Sequence, residues 1–181
     1  RLTTRGVYVR GHESCHAKFA IVDDTEAIVG SANFVKNGFD WTGEANVRLS
    51  NSAEVRRLKE LFTALWYQGC TFEIPPGSNY LVVDRVPTEP PIDYPDACCE
   101  PGSVVWTDGG EKASLLTSIK QVIMAAERTL TLSSYSIVGM MNNREMLFED
   151  IVSAVKRGVQ VQLFVRQRNA FTGQRAELEY L

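Results

Sequence analysis

Residues 12–33 read His-Glu-Ser-Cys-His-Ala-Lys-Phe-Ala-Ile-Val-Asp-Asp-Thr-Glu-Ala-Ile-Val-Gly-Ser-Ala-Asn. Two short apolar runs, 17–22 and 27–30, flank the acidic stretch Asp23-Asp24-Thr25-Glu26. Strand-forming residues around a short polar turn predict a β-hairpin. Toward the N-terminus, residues 7–10 alternate as a strand would, and toward the C-terminus residues 45–49 do the same. Ser52 then reads as the N-cap of a helix running to about residue 68. Its apolar positions Val55, Leu58, Leu61, Phe62 and Leu65 recur at three- and four-residue intervals, and Gly69 ends it.

Further along, all seven prolines (75, 76, 87, 90, 91, 95 and 101) crowd into one stretch. Proline fixes φ and removes a backbone donor, so a connector with little regular structure is expected there. Beyond it the pattern reads strand (103–106), helix (112–127), strand (129–134), helix (145–157, closed by Gly158) and strand (159–165). Strands alternating with helices imply parallel pairing. The fold class expected is α/β, with mixed sheets flanked by helices. The expected division is 1–75, a linker at 76–102, and 103–181.

Composition bounds the function. The chain has 181 residues, 44% hydrophobic and 23% charged, which is ordinary globular usage. No apolar run is long enough for a transmembrane segment. The net charge is −3. Residues 1–75 balance to zero, the middle stretch 76–110 carries net −5, and 111–181 carries net +2. Neither flank has the dense Lys/Arg stripe of a nucleic-acid surface. The chain opens at Arg1 without a methionine, so a processed chain or a fragment is expected. Of the four cysteines, Cys98 and Cys99 are adjacent and no C-x-x-C pair exists, which excludes a zinc ribbon. Pairing of Cys70 with one of the vicinal pair is left open; the simpler reading is reduced thiols filling apolar space.

Two motifs overlap at residues 12–18. H-E-x-x-H, from His12 to His16, needs a helix to bring both imidazoles to one face of a zinc ion. The strand-like runs on either side argue against that helix, and the chain has no third histidine. The second motif is H-x-K-x4-D-x6-G-S-x-N, formed by His16, Lys18, Asp23, Gly30, Ser31 and Asn33. In a strand, alternate residues share a face, so His16 and Lys18 are expected to project together and Cys15 to turn into the core. An imidazole beside an ammonium suits a phosphoryl group. The Ser31 hydroxyl and Asn33 amide offer donors to phosphate oxygens, and Gly30 permits close backbone approach. Each residue alone has a plain explanation: a half-buried histidine, a solvated lysine, a common turn. Their joint spacing does not. Asp23 is read as a turn residue in a supporting role, and His12 as a pocket-rim or solvent residue.

This spacing resembles the phospholipase D superfamily. The resemblance implies a covalent phosphohistidine chemistry on phosphodiesters, with no cofactor and no metal. It also implies that Glu44 holds the histidine ring. Residues 112–165 resemble, more weakly, the opening half of such a repeat. The chain then reads as the end of one repeat and the start of the next. The second catalytic motif is expected from a missing part of the chain or from a homodimer mate. The residues after Asn33, Phe34-Val-Lys-Asn-Gly-Phe-Asp-Trp, lack the Asp-x-Arg-Ser-like stretch common in cardiolipin synthases. Phe34, Phe39 and Trp41 suggest an apolar entrance for acyl chains, stacking on bases, or packing beneath the loop. The substrate expected is a phospholipid-type diester; the alternatives are a metal-independent nuclease of the same superfamily and a non-catalytic phosphate-binding module.

Overall fold

A computed structural model describes residues 2–12, 15–40, 43–67, 70–78, 82–83, 95, 100–107, 115–134 and 147–165. The chain divides into two compact units, Arg1–Asp96 and Ala97–Leu181. The α/β class is as the sequence indicates: a long helix packs on antiparallel sheets in the first unit, and two helices pack on a parallel strand pair in the second.

In the first unit, β2 (Phe19–Val22), β3 (Glu26–Gly30) and β4 (Asn46–Leu49) form an antiparallel sheet in that order. The register pairs Phe19 with Val29 and Val29 with Val47. The β2–β3 hairpin turns through Asp23 and Asp24, both at positive φ (51° and 54°), with the Thr25 amide donating to the Val22 carbonyl. Two consecutive left-handed residues match the right-handed twist of the strands, and aspartate tolerates that conformation better than most side chains. Helix α2 (Ser52–Tyr67) buries Val55, Leu58, Leu61 and Ala64. Phe62 meets Phe19 of β2 edge to face at 6.3 Å. The cap of α2 is Asn51 rather than Ser52: its Oδ1 accepts from the Ala53 amide at 2.9 Å.

A second antiparallel sheet takes β1 (Val9–His12), β5 (Cys70–Ile74) and β6 (Val82–Val83), in the order β1-β5-β6. Arg10 anchors it. Its guanidinium lies 5.0–5.4 Å from the ring centroids of Tyr8, Trp66 and Tyr67, donates to the Trp66 carbonyl, and pairs with Glu73 at 3.5 Å. One side chain thereby ties the end of α2 to this sheet.

Two expectations are corrected here. His16 and Lys18 do not lie in a strand. β1 ends at His12 in one sheet, residues 15–18 are irregular, and β2 starts a different sheet at Phe19. The chain leaves one sheet and enters another between those points, so period-2 reasoning across it fails. Cys15 is accordingly exposed, not in the core. Likewise the residues after Pro75 are not all connector, since β6 pairs with β5 at Phe72 and Glu73. Most of the acidic, proline-rich stretch, together with Cys98 and Cys99, lies outside the described residues.

In the second unit, α3 (Leu115–Ala125) leads into β7 (Thr129–Ser134), then α4 (Phe148–Lys156) and β8 (Gln160–Val165). β7 and β8 pair in parallel, Thr129 opposite Gln160. Ile123, Leu130, Ile151, Ala154 and Val159 form the core. Residues 103–106 are not a strand: Trp106 is buried, and its carbonyl instead accepts from the Leu115 amide. An apolar run predicts burial better than it predicts a ladder partner.

Candidate active site

Antiparallel pairing brings three chain ends together. The start of β2, the end of β3 and the start of β4 lie at the same edge of one sheet. Lys18 immediately precedes β2, Ser31 follows β3, and Glu44 and Ala45 precede β4. Residues separated by up to 28 positions in sequence, His16 to Glu44, therefore gather at one place.

Backbone hydrogen bonds fix the arrangement. The Gly30 amide donates to the Lys18 carbonyl at 3.2 Å, and the Ser31 amide donates to the Ala45 carbonyl at 3.1 Å. A Cβ on residue 30 would lie 2.4 Å from the Ala45 carbonyl oxygen and 2.6 Å from the Asn46 Cα. Only glycine fits so close to a neighbouring strand's backbone.

His16 and Lys18 meet, though not as alternate residues of a strand. Lys18 Nζ lies 2.9 Å from His16 Nδ1 and also donates to the His16 carbonyl, so the side chain folds back over the short irregular segment. His16 is exposed and Lys18 half-buried. An ammonium has donors only, so Nδ1 must be the acceptor. The neutral ring facing it then carries its proton on Nε2.

Glu44, which the resemblance implies holds the histidine ring, bonds here to the loop after β3. Its Oε2 accepts from the Ser31 hydroxyl at 2.5 Å, and the Ala45 amide donates to the same hydroxyl at 3.1 Å. The Ser31 proton is thereby committed to Glu44, and Ser31 is a tie between the ends of β3 and β4 rather than a free donor. Asn33, two residues on, has an exposed side chain. Its carbonyl accepts from the Val35 amide at 2.8 Å, closing a tight turn. Asp23 stands in the hairpin turn between β2 and β3, whereas Lys18 and Ser31 flank those strands at their other end.

The turn after Asn33 continues into α1 (Lys36–Asp40), a short helix the sequence reading did not anticipate. Phe34 and Phe39 stack at 6.3 Å with ring planes 13° apart, and both are more than half exposed. They do not pack beneath the loop. Trp41 lies outside the described residues.

The zinc reading does not survive this geometry. His12 belongs to a strand and His16 to irregular chain, so the two do not share one helical face. Among the described residues no cluster of His, Cys, Asp and Glu could hold a metal ion. No helix among them is long and apolar enough to cross a membrane.

Comparison with protein families matches residues 1–66 to the model described as "Cardiolipin synthase, PLD-like domain". That span contains the whole motif and ends within α2. No curated protein matches the chain.

Proposed function

We propose, from the match of residues 1–66 to a phospholipase D-like domain and from the motif within it, that this chain serves a phosphodiester hydrolase or transferase of the phospholipase D superfamily, acting through a phosphohistidine on a phospholipid-type substrate. The observation that carries this reading is that His16, Lys18, Ser31 and Glu44 stand at one end of a single sheet, with Asn33 two residues beyond Ser31.

The chemistry follows from the groups. A phosphate oxygen competes with His16 for the Lys18 ammonium, a natural partner for concentrated negative charge. Once Lys18 moves to the phosphate, Nδ1 is free to carry the ring proton and Nε2 presents a lone pair. Nε2 attacks phosphorus; a P–N bond forms and the P–O bond to the departing alcohol breaks. A second histidine protonates that alcohol and then activates water, or another alcohol, to break the P–N bond. Lys18 and the Asn33 amide hold the non-bridging oxygens as charge develops. His16 can also take the second role, since one motif alone does not distinguish them. Glu44 acts through Ser31, holding the loop that presents Asn33.

The partner histidine comes from a second motif, in a further part of the polypeptide or in a second copy. Residues 103–181 fit the opening half of the next repeat, which favours the further part of the polypeptide.

The test is turnover of phosphatidylglycerol, phosphatidylcholine and an oligonucleotide by the longest available form of the protein, in EDTA, with and without His16→Asn. We expect the lipid diesters to be cleaved and the variant to lose about 10²–10⁴-fold in rate. Undiminished turnover in the variant contradicts the assignment. Preferred cleavage of the oligonucleotide selects the nuclease; phosphate binding without turnover of any diester selects the binding module.

A further inference from the structure

Phe34 is 59% exposed, Val35 56% and Phe39 65%, and the three sit together on the turn and short helix that follow Asn33. The Val35 amide is bonded to the Asn33 carbonyl and the Gly38 amide to the Val35 carbonyl, so this apolar tip and Asn33 belong to one hydrogen-bonded turn. Two stacked rings and an aliphatic side chain in water are costly unless something apolar covers them in use. We propose that Phe34, Val35 and Phe39 are a contact patch that enters the outer apolar zone of a phospholipid bilayer, bringing headgroup phosphates level with Asn33 and Lys18.

Charge and composition choose this occupant. Lys36 and Asp40 are the charged residues of α1 and offset one another, and residues 1–75 are neutral overall. A surface that tracks a polyanion needs an excess of Lys and Arg around its aromatics. A patch that inserts between lipids needs apolar area and aromatic rings at the interface, which this turn offers. Its direct continuity with Asn33 places the patch beside the residues that would receive the headgroup. The inference rests on the phospholipid reading of the site, but binding to lipid is measured without turnover.

The experiment is co-sedimentation of the intact chain with phosphatidylcholine vesicles containing a minor fraction of phosphatidylglycerol. The forms compared are wild type, Phe39→Ser, the Phe34→Ser/Phe39→Ser pair and the Phe34→Leu/Phe39→Leu pair. We expect wild type to partition onto vesicles with little change between about 50 and 200 mM salt, the range over which binding to a polyanion collapses. The serine pair should partition at least about tenfold less, Phe39→Ser alone should fall between, and the leucine pair should hold most of the binding. If the serine pair does not fold, the single variant carries the comparison. Absence of wild-type binding to vesicles, equal binding by wild type and Phe39→Ser, or salt-sensitive binding to a single-stranded oligonucleotide instead of vesicles overturns the proposal. Vesicle binding with no diester turnover would count against the phosphohistidine reading and leave the patch standing.

Discussion

Lys18 holds the His16 ring by Nδ1, and Glu44 holds Ser31; these two contacts separate what the motif's spacing tells from what only geometry tells. The spacing of His16, Lys18, Gly30, Ser31 and Asn33 was legible because it repeats a family pattern. The destination of each hydrogen bond was not, because it depends on the few ångströms separating the ends of β2, β3 and β4. Ser31→Ala removes the proton that Glu44 accepts and the acceptor of the Ala45 amide, both at exposed positions. We expect a loss of about 1 kcal/mol in stability, read by urea unfolding, and a roughly five- to tenfold fall in turnover as Asn33 loosens. Asp23 stands in the opposite situation: its φ of 51° suits glycine, and the turn lies at the far end of its hairpin. Asp23→Gly should leave turnover unchanged and stability within about 0.5 kcal/mol, since relief of φ offsets added freedom in the unfolded chain.

Periodicity found the elements whose apolar face is continuous. The β2–β3 hairpin, α2, β7, α4 and β8 follow the sequence reading, with ends shifted by a few residues. It missed β5, although Cys70-Thr-Phe-Glu-Ile74 alternates cleanly, because a run between a helix-ending glycine and Pro75 resembles the start of a loop. It treated His16 and Lys18 as strand residues because alternation carries no mark where a chain changes sheets. Two glycines test the element-level account. Gly30→Ala drives a methyl group into the Ala45 carbonyl and the Asn46 backbone, so the β3–β4 edge must part. Loss of several kcal/mol in thermal stability is expected, with loss of turnover out of proportion to the folded fraction. Gly158 meets no atom within 4 Å of a built Cβ but sits at φ +87°, where its amide and that of Val159 close α4 onto the carbonyls of Val155 and Ala154. Gly158→Ala should therefore cost only about 1 kcal/mol, from conformation rather than collision.

At the scale of the molecule, one motif is complete in the unit Arg1–Asp96, and the unit Ala97–Leu181 contributes a parallel β7–β8 pair covered by α3 and α4. Composition and helix–strand alternation announced the α/β class. They could not announce where each unit's sheet ends, because sheet order is decided by pairing between distant strands. Attack by His16 requires phosphate to displace it as the partner of Lys18. The chain's two histidines make this directly visible: ring ¹⁵N shifts can be assigned by comparison with a His12→Gln variant. Free protein at mildly alkaline pH should show His16 protonated at Nε2, and saturating inorganic phosphate should move that ring toward the Nδ1-protonated form, an effect abolished by Lys18→Gln. A His16 spectrum indifferent to phosphate, in protein shown by circular dichroism to be folded, would contradict the account.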